Sequence, residues 1–329
     1  MKICTLSVIV ALFISSQLSA QEQMTPLANA KDWAIAIKSS KDGSTQNILF
    51  YMPPNSAVGG EAKSVPLLVG LHSWGTDYLN TAPYIGVAKK HGWAFVGPDY
   101  RGPNIRPEAC ASDLAMQDVL DAVNFAKSRA RIDNSKIYLL GESGGGHMAL
   151  MMAASFPDLW AGVSAWVPIA DLAAWHAESK AAGRNYSDKL EKVCGGAPGK
   201  PETDAEYRKR SPLFFLQNAK GLPIDINTGI HDGHTGSVPV SHALRAFNVL
   251  AEVNGFKDKK ITPEEIDFMV KTEKIHDSLS REKVNDPDRK NPVLFRREAG
   301  PVRITIFEGG HEGDKKAALN WLAKQKKMD

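Results

Sequence analysis

An α/β protein built on a doubly wound, mostly parallel sheet is what the sequence predicts, on three observations. Short apolar runs bounded by Gly and Pro alternate along the chain with stretches of helical periodicity, the pattern of strands buried on both faces and joined by crossover helices. Of 329 residues, 43% are hydrophobic and 23% charged, which allows a large core and excludes wholesale disorder. No long Pro/Ser/Gly linker, internal repeat or low-complexity tract divides the chain, so residues 21–329 read as one domain.

The N-terminus, "MKICTLSVIVALFISSQLSAQEQ", has one Lys, an apolar run through Ile14, then small and polar residues around Ser19 and Ala20. That is the layout of a secretory signal peptide, residues 1–20, and the apolar run is too short to span a bilayer. The expected location is secreted or periplasmic. "QNILFYMPP" is an early strand signal, followed by "SVPLLVGLH" and "GWAFVGPDY". A helix follows in "SDLAMQDVLDAVNFAKSRA", with Leu114, Val119, Ala122, Val123 and Phe125 at helical spacing and Ser112 as N-cap. Then come the strand of "KIYLLGESGGG", the buried helix "HMALMMAASF", and the strands "WAGVSAWVPIAD" and "LPIDINTGIH". The helix after Ser241, the strand "PVRITIFEGGHE" and the amphipathic helix "KKAALNWLAKQKK" complete the series. Residues 172–215 and 256–300 break the rhythm and read as cap or loop insertions, the second being highly charged.

Charge excludes one class of function. Lys plus Arg number 40 against 37 Asp plus Glu, a net charge of +3, and no basic stripe marks a nucleic-acid surface. With the signal removed, Cys110 and Cys194 remain. In an oxidising compartment they are either a disulfide or two buried thiols, and the sequence leaves both open.

Chemistry concentrates in four places. "GESGG" stands between a strand and an apolar helix, the frame a nucleophile elbow needs. It exposes the Ser143 hydroxyl over a helix N-terminus, where the N–H of Gly144 can hold an oxyanion. His311 follows two glycines after the last strand and is the expected general base. "LHSWG" leaves an earlier strand, and the backbone N–H of Ser73 or Trp74 is the expected second oxyanion donor. Finally, "GIHDGHTGSVPV" ends a strand in two histidines, an aspartate and glycines.

The quoted segments resemble the catalytic domain of the prolyl oligopeptidase family, within the α/β-hydrolase superfamily. "SKDGSTQNILFYMPP", "PDYRG", "YLLGESGGGHMAL", "CGGAPGKPETDAEYRKRSP" and "FEGGHE" carry the resemblance. Members that act as peptidases usually carry a large β-propeller ahead of this domain. Only about 40 residues lie here between the signal and the first hydrolase strand, short of any domain. The resemblance therefore implies a compact esterase, of the kind that removes acetyl or feruloyl groups from polysaccharides without a cofactor or metal. The alternatives are a peptidase acting on short peptides and a non-catalytic binding protein on the same scaffold.

The family's usual acid loop reads H-G-x-x-D-x-x-V-P. Here the same length reads "HDGHTGSVP", with Thr235 in the acid's slot and Asp232 as the loop's only carboxylate. An imidazolium needs a carboxylate partner, so Asp232 is the expected acid. Asp171, at the end of the preceding strand, is the rival, with a helix N-cap as its other reading; Asp225 and Asp267 are weaker. His231 and His234 flank Asp232 with metal-ligand chemistry, yet no further ligand recurs at a fixed spacing, so no metal site is expected. Trp166, Trp175 and Tyr186 read as either a stacking platform for sugar or aromatic acyl groups, or packing of the first insertion. Arg184 or Arg210 could meet a carboxylate on the substrate.

Overall fold

The computed structural model describes residues 30–59 and 61–327; the signal-peptide segment lies outside the described residues. Nine strands form one sheet: β1 (Ala34–Lys38), β2 (Thr45–Tyr51), β3 (Val65–Leu71), β4 (Ala94–Pro98), β5 (Ile132–Glu142), β6 (Gly162–Trp166), β7 (Ile224–Gly229), β8 (Val293–Ala299) and β9 (Val302–Phe307). Their spatial order is β1-β2-β4-β3-β5-β6-β7-β9-β8. From β4 to β9 every neighbouring pair is parallel, while β1, β2 and β8 join antiparallel at the two edges.

Helices cover both faces because the central strands are apolar on both. β4 and β6 are buried along their whole length. One face packs α2 (Asp113–Arg129), α3 (Gly144–Ser155) and α7 (Ser241–Val253), whose inward residues include Val119, Ala122, Met148 and Leu244. The other packs α1 (Ala82–His91) and α9 (Lys315–Leu322) through Ile85, Ala88, Ala318 and Leu319. Ser112 caps α2 by accepting from the Ala115 N–H. Burial of this kind stabilises by roughly 25 cal/mol per Å² of apolar area.

Residues 172–215 fold into α4 (Leu172–Ala181), α5 (Tyr186–Cys194) and α6 (Pro201–Lys209), with short 3-10 turns. They enclose a third, smaller apolar cluster that includes Trp74, Cys110, Trp175, Cys194 and Tyr207. The charged stretch is less of an insertion than its composition suggests. It holds α8 (Pro263–Thr272), opened by a capping box from Thr262 and Glu265, and its end is the edge strand β8. Its charges are spent locally: Arg297 pairs with Glu282, and Arg296 with Asp286.

Cys110 and Cys194 are both free, buried thiols in the same cluster. Burial pushes the Cys110 thiol far up and that of Cys194 to about 12. Among the described residues, no helix is long and apolar enough to cross a membrane.

Candidate active site

The parallel strand ends assemble the site. β5 delivers Ser143, β7 delivers Asp232 and β9 delivers His311. Gly229 is paired with Phe307 across the β7–β9 ladder, so the two loops leave the sheet side by side. They stay tied beyond it, since the His231 N–H donates to the Gly309 carbonyl at 3.0 Å.

Ser143 joins β5 to α3 with φ 59° and ψ −117°, a backbone state costly for any residue but glycine. The surroundings hold it there. Its N–H donates to the Trp166 carbonyl and its own carbonyl accepts from His147, both at 2.9 Å. A Cβ on Gly141 would stand 2.1 Å from the Gly145 carbonyl oxygen, so the chain can turn this tightly only without a side chain there.

His311 Nε2 lies 2.8 Å from Ser143 Oγ, and its Nδ1 lies 2.7 Å from Asp232 Oδ2. Asp232 is buried, and its second oxygen accepts from the N–H groups of Gly233 (2.9 Å) and Val238 (3.0 Å). Three donors thus compensate a carboxylate taken out of water. Close approach of the loops demands glycine again, because a Cβ on Gly236 would fall 2.2 Å from Asp232 Oδ1 and 2.5 Å from His311 Cβ. Thr235, in the slot where the acid usually stands, is exposed and turns its hydroxyl to the His231 carbonyl at 3.3 Å.

The rival carboxylates are occupied elsewhere. Asp171 caps α4, accepting from Ala173 (3.0 Å) and Ala174 (3.2 Å). Asp225 is fully buried and pairs with Arg303 at 2.8 Å, and Asp267 lies on the exposed side of α8.

At the helix end, Gly144 opens α3 with its N–H free of helical partners by position. A Cβ on Gly144 would be 2.4 Å from the Trp74 nitrogen, which puts the two backbones in contact. The Ser73 N–H donates instead to Asn80 Oδ1 at 3.1 Å. The sequence favours Trp74 slightly over Ser73; here the Trp74 nitrogen stands against Gly144 while the Ser73 N–H is taken by Asn80.

The aromatic platform needs correcting. Trp166 is 2% exposed and Trp175 0%, so neither has a ring face to offer a sugar. Trp166 packs against Phe307 on the α9 side of the sheet. Trp175 stacks edge-on to Trp74 and donates its indole N–H to the Ser237 carbonyl at 2.7 Å. Tyr186 alone is partly exposed, lying on Trp175 at 4.7 Å between ring centres. Arg184 and Arg210 are likewise engaged. Arg184 donates to the carbonyls of Gly233 and His234, and buried Arg210 holds those of Ala109 and Cys110. His231 and His234 do not converge with Asp232 on a common point: His231 faces two glutamates and His234 the Val270 carbonyl. No group of three His, Cys, Asp or Glu suited to a metal occurs among the described residues.

Two residues near the site carry no motif signal. Ser237 brings its hydroxyl to 3.5 Å from His311 Nε2; its only mark in the sequence is its place in the acid loop. His147, one turn after Ser143, is fully buried with Nε2–H on the Arg210 carbonyl at 2.7 Å, and burial pushes its pKa down to about 4.

A serine, an imidazole and a buried carboxylate hydrogen-bonded in series at the strand ends of such a sheet define the serine-hydrolase class of the α/β-hydrolase fold. The sequence profile of the prolyl oligopeptidase family matches residues 87–290, more than half of the chain, and the chain belongs to that family. A probable acetylxylan esterase A from Aspergillus clavatus is 27% identical over 121 residues, covering 34% of this chain and 38% of its own. A feruloyl esterase B from Talaromyces funiculosus is 29% identical over 115 residues, covering 32% and 33%. The chain therefore spans about a third of the length of the curated relatives it matches. In fold it is similar to an acylaminoacyl peptidase from Pyrococcus horikoshii, with TM-score 0.57 and 18% identity over 88% of this chain and 39% of that one.

Proposed function

We propose that the chain is an exported carboxylesterase that removes acyl groups, acetyl or feruloyl in type, from decorated polysaccharide or its oligosaccharides. The observation that carries the reading is the series Ser143 Oγ–His311 Nε2–His311 Nδ1–Asp232, with contacts of 2.8 and 2.7 Å. In the mechanism, Ser143 Oγ bonds to the ester carbonyl carbon as His311 Nε2 takes its proton. The carbonyl oxygen becomes an oxyanion held by the N–H groups of Gly144 and Trp74. His311 then protonates the departing alcohol, and water repeats the sequence on the acyl-enzyme with His311 again as base. Asp232 accepts the Nδ1–H throughout and fixes the tautomer that leaves Nε2 free to receive a proton. Similarity to a probable acetylxylan esterase and a feruloyl esterase supports the substrate class, and partly exposed Tyr186 is the one of the three candidate aromatics with surface left for an acyl or sugar ring.

Family membership itself favours a second reading, hydrolysis of short peptides. A substrate panel separates the two. Nitrophenyl acetate and acetylated or feruloylated xylan should be cleaved well, and N-blocked or proline-containing peptide anilides poorly; the reverse ranking overturns the esterase. Ser143→Ala should lower kcat by roughly 10⁵-fold or more and abolish labelling by a fluorophosphonate. A wild-type chain that refuses the label would instead be a binding protein.

A further inference from the structure

His231 is flanked by carboxylates on both sides. Its Nε2 lies 2.6 Å from Glu308 Oε1 and its Nδ1 2.7 Å from Glu273 Oε2. Ionised carboxylates only accept, so both ring nitrogens must donate, which an imidazole does only as the cation. The three residues belong to three separate segments. His231 immediately precedes Asp232; Glu308 stands three positions before His311; Glu273 is the residue that ends α8. Glu273 sits there with φ 55°, a left-handed terminus usually left to glycine or asparagine. A glutamate at that position is strained in backbone and well placed in side chain.

We infer that His231 is a positioning residue: as an imidazolium it draws the acid loop, the base loop and the end of α8 together, and on losing a proton it lets them part. The inference rests on the Ser143–His311–Asp232 reading and adds a control to it. Two other titratable groups border the cluster. His234 approaches Glu273 Oε1 with Nδ1 at 3.6 Å while its Nε2–H donates to the Val270 carbonyl. Asp232 turns both its oxygens to His311 and its own loop. The hydrogen bonds that His231 donates to Glu308, then to Glu273, raise its pKa above the ordinary imidazole value. A raised pKa means that the clamp is complete at lower pH and is lost as pH climbs through the folded-state value. His311 as base needs the opposite, a ring free of its second proton. Activity is thereby confined between two imidazoles, one opening the acid side and the other closing the alkaline side.

The test is the background-corrected pH profile of kcat for wild type, Glu273→Gln, Glu308→Gln and His231→Gln, with melting temperatures taken at neutral pH to verify folding. The cluster is about one-third to one-half exposed, so removing one glutamate should bring the alkaline midpoint down by about half a pH unit. Glu273→Gln, the variant remote from His311, should leave the acid midpoint in place. His231→Gln should remove the alkaline step and lower neutral kcat about tenfold, with KM nearly unchanged. Alkaline limbs that superimpose on wild type in Glu273→Gln overturn the inference even if His231→Gln fails to fold. Fluorophosphonate labelling of Ser143 in the same preparations keeps the two questions apart. No label on wild type sinks the triad reading, whereas full label with unmoved limbs sinks only the clamp.

Discussion

The elbow around Ser143 and the loop around Asp232 solve the same problem, fixing one reactive group at a strand end, by opposite means. At the elbow the backbone does the placing. Ser143 is held at a strained torsion, Gly141, Gly145 and Gly146 around it press against backbone carbonyls, and α3 behind it is buried almost throughout. In the acid loop a side chain does the placing. Asp232 reaches back to His311 from a position three residues earlier than the family's usual slot, and backbone N–H groups of its own loop hold it there. A group set by backbone geometry is bound to its motif. One set by side-chain reach can move along the chain, provided that the carboxylate arrives at the same point in space.

That contrast can be broken by moving the carboxylate. Asp232→Asn should lower kcat by about 10⁴-fold, the effect of a wrong imidazole tautomer. Asp232→Asn combined with Thr235→Asp should stay low, because residue 235 faces the His231 carbonyl and solvent. Recovery of rate in the double variant would show that the slot, not the reach, decides. Methyl groups sharpen the same comparison. Gly141→Ala drives a Cβ into backbone and should destabilise the fold by about 3 kcal/mol in urea titration. Gly236→Ala meets the Asp232 and His311 side chains and should spare most stability while lowering kcat about 100-fold.

Next in size is an acid sensitivity beneath the elbow. Buried His147 stays neutral in the fold down to about 4, against an ordinary 6.5. Between those values the unfolded chain takes up a proton that the folded chain refuses, so stability present above the window is lost as pH falls through it. The loss is at most about 3 kcal/mol, and His147→Gln should flatten that slope in urea melts taken from neutral pH to pH 4. The smallest effect belongs to the rival acid: Asp171→Asn should keep full activity and change stability by less than about 0.5 kcal/mol, since asparagine caps a helix as well as aspartate does. A large loss of kcat there would reverse the assignment.

Much of this was legible from sequence for one physical reason: buried parallel strands and tight turns leave strong local signatures. β3 to β7, α3, the glycines of the elbow and the "GGH" after β9 all announce themselves. Local pattern failed where tertiary contact decides. β8 hides in a charge run because it is an edge strand, burying Val293, Phe295 and Ala299 while Arg296 and Arg297 reach sideways to acidic partners. Trp166 and Trp175 read as either platform or packing, and tertiary contact makes both interior: Trp166 packs on Phe307 at the α9 side of the sheet, and Trp175 lies in the cluster under the helical segment. Asp232 was reached by residue type, as the loop's remaining carboxylate; its spacing pointed elsewhere.

The indole of Trp175 joins α4 to the carbonyl of Ser237, and this single bond has an evolutionary reach. A lineage that exchanged its helical segment for another shape would also release this support of the loop that carries Asp232. Substitutions on the outward faces of α5 and α6 leave that strut in place, whereas any that displace Trp175 are felt in the loop that carries Asp232.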